Sequence, residues 1–372
     1  MKFVFFVQGE GRGHLTQAIS LQRILESAGH RVCRICVGLP HNRRLPEFAQ
    51  LAFRGRLETY RGPALSYCRR RGLTHVQTTA RFLRDLPALT ESYRQVAACL
   101  RREQPERIVN FFEPVAGVHF RLKEAPAPVV SLGHQFLLLH PAFRLPPGTW
   151  LERRSTLNLI RLVGGTSLKL ALSFREQPSD PKQRIQVVPP LLRPALRRCN
   201  STDVGPVVAY LLNAGYVADL ERAQALEPHL RVRCFSGFSE AELTSRTTAV
   251  HREPIHGERY LQAVTQARGL VSTAGFEAVA EGAYLGKPIV LMPVDGHFEQ
   301  RANALDATRA GLAHAQSPAT LNLGPLNTPP PVALTQTFRA WCDHAPGAYL
   351  EALTGQKANE PAVTGEPVLF PD

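Results

Sequence analysis

The segment richest in chemistry runs from Ser272 to Ala304, STAGFEAVAEGAYLGKPIVLMPVDGHFEQRANA. An apolar run ending at Val271 reads as a strand, and Ser272-Thr273-Ala274-Gly275 turn the chain into a helix that opens at Phe276. The first turn of such a helix offers free backbone N–H groups and the positive end of its dipole. That is a site for a diphosphate and needs no metal. Glu281 follows Gly275 by six residues, nearly two helical turns, where a carboxylate can accept from both hydroxyls of a ribose. Past the next strand, which ends at Pro293, Glu299 and Gln300 can bond sugar hydroxyls, and Asn303 opens the following helix.

Two more clusters lie in the first half. QGEGRGH (8–14) is a glycine-rich turn after a first strand, with Gly11, Arg12 and Gly13 leading into His14. Its alternating glycines do not match the dinucleotide fingerprint, and no acid ends the second strand, which closes on Gly38. NFFEP (110–114) and LGHQF (132–136) each close a short apolar strand. Ligands on parallel sheets bind at that edge, so Glu113, His134 and Gln135 are expected to face the same cleft as His14.

These residues need a scaffold that brings strand ends together. The first half alternates accordingly: KFVFFV, a helix over 15–28 with Leu15, Ala18, Leu21 and Leu25 on one face, HRVCRICVG, RIVNFF, APVVSLG, SLKLALSF and RIQVVPPLLR. A loop-rich basic stretch at 40–84 carries no assigned element. A second series follows. PVVAYLLNAG (206–215) puts Asn213 and Gly215 in a turn after a strand; helices are expected over 219–230 and 259–267, a strand then a loop over 231–238, a strand then a turn over 269–275, and a strand over 287–294. Strands alternating with helices, twice over, mean two doubly wound α/β sheets. The 372 residues suffice for two cores.

Composition narrows the class. With 44% hydrophobic and 20% charged residues the chain reads as globular, and no run is long enough for a membrane span. The opening seven residues read as a strand, with neither the h-region nor the cleavage site of a signal peptide, so the expected location is cytoplasmic. Of seven cysteines, Cys33 and Cys36 have a CxxC spacing, but within a strand that spacing points the thiols to opposite faces, so neither a zinc nor a redox pair is expected. Residues 1–175 carry a net charge of +16 and residues 176–372 one of −3. That asymmetry suits an anionic partner for the first half. The apolar, arginine-studded run at 137–163 suits a lipid-linked or anionic acceptor and contact with the inner face of a membrane. No basic motif interleaved with aromatics suggests nucleic acid.

The pattern resembles the donor-binding signature of GT-B nucleotide-sugar glycosyltransferases, nearest the branch of the peptidoglycan GlcNAc transferase and the glucuronosyl and plant enzymes. Gly275, Glu281, Pro293, Glu299-Gln300 and Asn303-Ala304 match its elements. Ala274 stands where a His often precedes the Gly, and His297 is an additional residue near the sugar position. The QGEGRGH-like start and the HQ motif are similar to those of a bacterial group within this fold. The resemblance implies a GT-B fold: two Rossmann-like, doubly wound parallel-sheet domains facing a central cleft. Residues 1–190 would bind the acceptor and 191–355 the nucleotide sugar, with 356–372 a loose tail. It implies transfer from a nucleotide diphosphate sugar, expected to be a UDP-sugar, to a hydroxyl acceptor, with inversion. Neither half contains Asp-x-Asp, so no metal or other cofactor is expected. Ser272, Thr273, Ala274, Gly275, Phe276, Glu281, Glu299 and Gln300 would hold the donor. His14 would be the base with Glu113 on its far nitrogen, or Glu113 the base itself. The alternative is a nucleotide-sugar hydrolase or 2-epimerase on the same fold.

Overall fold

The computed structural model of the chain describes residues 1–41, 43–66, 72, 74–244 and 249–356. The first sheet has seven parallel strands in the order β3-β2-β1-β4-β5-β6-β7. They are β1 (Lys2–Gln8), β2 (Arg31–Leu39), β3 (Leu57–Arg61), β4 (Arg107–Phe111), β5 (Val129–Leu132), β6 (Leu168–Leu172) and β7 (Ile185–Val188). Between them run helices α1 (Gly13–Ser27), α2 (Glu47–Ala52), α3 (His75–Glu103), α4 (Pro114–Leu122) and α5 (Trp150–Gly164). Phe3 to Val7 are wholly buried, as expected of a strand covered by helices on both faces.

The second sheet has six parallel strands in the order β10-β9-β8-β11-β12-β13: β8 (Val207–Tyr210), β9 (Val232–Ser236), β10 (Val250–Pro254), β11 (Leu270–Ser272), β12 (Ile289–Leu291) and β13 (His314–Ala315). Its helices are α6 (Val217–Ala225), α7 (Glu240–Thr244), α8 (Gly257–Gln266), α9 (Phe276–Tyr284), α10 (Phe298–Arg309), α11 (Val332–Asp343) and α12 (Ala345–Thr354). The last two helices return to the first sheet. Trp341 Nε1 donates to the Ser173 carbonyl at 2.9 Å, and the Tyr349 hydroxyl to that of Pro189 at 2.8 Å. Each sheet changes winding direction once, between β1 and β4 and between β8 and β11, and the crevice outside such strand ends is where open α/β sheets bind ligands.

Two expectations need correcting. The stretch at 40–84 contains α2, β3 and the start of the long α3, whose Pro87 interrupts a pattern already diluted by arginines. Cys33 and Cys36 do not face apart. The register of β1 with β2 slips between Phe3 and Val4, leaving Cys33 as an extra residue, and the bulge turns both thiols into the core beneath α3. The sequence after Gln356, expected to form the loose tail, lies outside the described residues.

Candidate active site

The glycine-rich turn after β1 lies directly against the amino end of α9. A Cβ on Gly13 would come to 3.6 Å from the Glu277 Cβ, while Gly11 and Gly275 border open space. Arg12 NH2 donates to the Ile255 carbonyl at 3.1 Å, tying this turn to the second domain. His14 sits in the first turn of α1 with its ring stacked on Phe112, 6.2 Å between centroids. Its Nδ1 lies 3.3 Å from Gln17 Oε1, and Gln17 Nε2 donates to Glu277 Oε2 at 3.3 Å. With its NH2 on the Glu277 carboxyl, Gln17 turns its oxygen to the imidazole, and the Gln135 NH2 lies at the other ring nitrogen, so the proton is assigned to Nδ1 and the lone pair to Nε2. Burial holds the His14 pKa down at about 4, the Gln17 bond opposing it. At neutral pH the ring is therefore an uncharged acceptor.

Beside His14, Gln135 Nε2 lies 3.3 Å from His14 Nε2 and donates to Glu299 Oε1 at 3.1 Å. Burial pushes the Glu299 carboxyl up to about 7 against the pull of that hydrogen bond. Glu277, on the first turn of α9, is raised well above the usual carboxylate range, by burial first and by neighbouring Glu281 second.

The turn from β11 into α9 has the form expected. Gly275 is the N-cap with no side-chain cap, so the first N–H groups of α9 open toward space. Ala274 sits at φ +59°, in the left-handed region, and its carbonyl accepts from Asn303 Nδ2 at 2.9 Å. Thr273 Oγ1 accepts from the Leu212 N–H at 3.0 Å, which brings Asn213 and Gly215 beside this turn, and the Ser272 hydroxyl is buried without a partner.

Five expected roles are altered by geometry. Glu113 is not on the far nitrogen of His14. It caps α4, accepting from the Ala116 N–H at 2.6 Å, and its other oxygen points past Gly38 toward Tyr60. Complete burial raises its pKa to about 7. His134 turns away from the cleft: its Nδ1 meets the Leu172 carbonyl at 2.7 Å and its ring stacks on Phe276 at 4.3 Å. Phe276 stacks on both His134 and Phe174, which also touch each other, and so serves the domain interface through its side chain. Glu281 is buried with both oxygens taken by the Arg193 guanidinium, one at 3.0 Å, so it does not present a free carboxylate to a ribose. Gln300 spends its carbonyl oxygen on the Val294 N–H at 2.8 Å and pins the loop before α10.

Gln17, Glu277 and Arg193 went unnoticed in the sequence. Gln17 stands three residues past His14 on the same helical face, a spacing that signals contact. Arg193 has no such local signal. Among the described residues one group could share a metal ion, Cys36, Glu58 and Cys99. It lies under α3, behind the sheet, and its Glu58 already pairs with Arg34 and Arg102.

A family model described as glycosyl transferase family 1 matches residues 1–324. No curated protein sequence matches the chain. Among solved structures, the glycosyltransferase of kitacinnamycin superposes with a TM-score of 0.60 at 17% identity, covering 93% of this chain and 95% of that one. UGT71G1 of Medicago truncatula, complexed with UDP-glucose, gives 0.59 at 13% identity over 95% of each chain. MurG of Acinetobacter baumannii gives 0.51 at 16% identity over 96% of this chain and 100% of that one.

Proposed function

The chain belongs to glycosyl transferase family 1, and from that premise we propose that it moves a sugar from a UDP-sugar to a hydroxyl acceptor, with inversion and without a metal. It is a glycosyltransferase of GT-B architecture, and the observation that carries the finer reading is the neutral His14. Its Nε2 lone pair faces a cleft whose opposite wall is the uncapped amino end of α9. In the proposed step the acceptor O–H gives its proton to His14 Nε2 while its oxygen attacks the anomeric carbon. The bond from that carbon to the diphosphate oxygen breaks, and the electron pair leaves with the diphosphate. The N–H groups at Gly275 to Glu277 stabilise that charge through the helix dipole. One displacement with one base inverts the centre. UDP-glucose bound to UGT71G1 of Medicago truncatula supports the choice of donor class.

In this reading residues 1–190 seat the acceptor and 191–355 the donor. Glu299 takes a sugar hydroxyl, and Glu113 shapes the base's surroundings through the Phe112 loop rather than taking a proton. A lipid-linked or anionic acceptor is supported by α5, where Trp150, Leu151, Leu159 and Leu162 are exposed beside Arg153, Arg154 and Arg161. No helix among the described residues is long and apolar enough to cross a membrane, so contact would be at the surface.

The test is a thermal-shift screen of nucleotide sugars, then product analysis with excess chelator present. A bound donor raises Tm by mass action. His14→Ala should lower kcat by about 10²–10⁴-fold with donor affinity nearly unchanged. Activity abolished by chelator and restored by added metal would overturn the phosphate site as drawn. Free sugar as the only product with every acceptor tried would favour the hydrolase instead.

A further inference from the structure

Gln135 is held in place by more than its own bonds. It is buried, and a Cβ on Gly133 would come to 2.5 Å from its Oε1, so a side chain there would displace the amide. Its NH2 group is used twice, once on the base and once on Glu299. Its Oε1 is buried and has no partner. A buried amide oxygen left idle costs free energy unless something fills it. His134, beside it, is fixed by stacking on Phe276, so the backbone carrying Gln135 is braced from the second domain.

We propose that Gln135 is a latch, a positioning residue that caps the lone pair of His14 until the donor's sugar ring is seated. The inference rests on the proposed transferase reading. An imidazole nitrogen that already accepts an N–H cannot take a proton from an acceptor. When a sugar hydroxyl donates to Glu299 it displaces the Gln135 N–H, and a second hydroxyl can fill the idle Oε1. The amide then swings off His14, and Nε2 opens to the acceptor. A bare nucleoside diphosphate has no sugar hydroxyl at that position and leaves the latch closed. The base is thereby held idle until a nucleotide sugar is seated. The groups around His14 are Gln17, with Glu277 behind it on α9; Gln135, with Glu299 behind it on α10; and the Phe112 ring. Glu10 adds its charge near Glu299.

Gln135→Met keeps length and removes both amide groups. Without ligand or with UDP, its His14 Nε2 resonance should already shift toward the position that the native chain reaches only with a nucleotide sugar, because no N–H caps the lone pair. Its acid limb in kcat/KM should move to higher pH, because the lost N–H favoured the neutral ring. A purely structural role would lower turnover and move neither the resonance nor the limb. The second measurement needs no variant: the ¹⁵N resonance of His14 Nε2 in the full chain, with UDP, UDP-glucose or UDP-N-acetylglucosamine added. Either nucleotide sugar should shift it and UDP should not. Nucleotide sugars that raise Tm yet give the same His14 resonance as UDP, with an unmoved acid limb in Gln135→Met, overturn the latch and leave the transferase standing. No stabilisation and no turnover with any nucleotide sugar overturns the reading beneath it.

Discussion

Gln17→Leu removes one of the two groups that set the tautomer of His14 and leaves every cleft-facing atom in place. In the native chain the Gln17 oxygen, 3.3 Å from Nδ1, and the Gln135 N–H, 3.3 Å from Nε2, both favour the Nδ1–H form. Leucine cannot accept, so an N–H in a dry site loses its partner, at a cost of about 1–3 kcal/mol. Once a seated sugar has drawn the Gln135 N–H away, the ring can avoid that cost by moving the proton to Nε2, the nitrogen that should act as base. The competent tautomer would then fall by about 10- to 100-fold, since each 1.4 kcal/mol is a factor of ten. Turnover should fall by the same factor, and donor affinity should change little. The Gln17 bond also favours the protonated ring, so its loss should push the His14 pKa further below about 4. Two assays check this: kcat in a transfer assay, and the ¹⁵N spectrum of histidine-labelled protein, where the two tautomers separate. Glu277→Gln is the control, because an amide there can still hold Gln17 in orientation. A Gln17→Leu enzyme with native turnover and a native Nδ1–H signal would refute the assignment of His14 Nε2 as the base.

Glu113→Gln should flatten the pH dependence of stability. Burial raises the Glu113 pKa from 4.5 to about 7, so its contribution is full below pH 4.5 and is lost as pH rises through 7, on the order of 3 kcal/mol by pH 8. The native Tm should therefore fall more between pH 5 and 8 than that of Glu113→Gln, and parallel curves would refute the shift. Glu281→Ala should destabilise the fold by about 3 kcal/mol, because it strands a guanidinium in a buried pair. An unchanged denaturation midpoint with weaker UDP binding would instead restore Glu281 to the ribose. Trp150→Ser should weaken binding to vesicles of phosphatidylcholine with 30% phosphatidylserine, about fivefold by the area of one aromatic ring, measured by co-sedimentation. Equal binding of native and variant chains would place any membrane contact elsewhere than α5.

What could be read from the sequence was local. The β11–α9 turn announces itself because a strand, a small-residue turn and a helix start are adjacent, and an anion site at a helix start is made of backbone. His14 is similarly readable, since its neighbours Gly11 and Gly13 leave a turn with open space on one side. Glu113 shows where the same logic misleads. An acid followed by proline at a strand end is also how a helix is capped, with proline in its first turn. Both signals were present, and only the placement of Tyr60 and Gly38 beside the carboxylate separates them. The bulge at Cys33 depends on how β2 registers against β1, which the alternation of β2 alone does not encode.

The remainder of the site is long-range. Arg193 meets Glu281 across 88 residues, and Gln135 meets Glu299 across 164. The first contact joins the segment after β7 to α9 and the second joins one domain to the other, and such packing leaves no periodicity in either partner. A nucleotide site and a domain interface also draw on the same residue types: an acid with an arginine, an aromatic at a helix start. Phe276 and Glu281 illustrate this, one absorbed into the His134–Phe174 stack and the other into an ion pair. Such residues sit one layer behind the cleft and set how closely the two domains approach. Replacing them should therefore change the spacing between His14 and the amino end of α9 before it changes any contact to donor or acceptor. The expected signature is a fall in kcat shared by all acceptors, whereas substitutions in the cleft itself should discriminate among them.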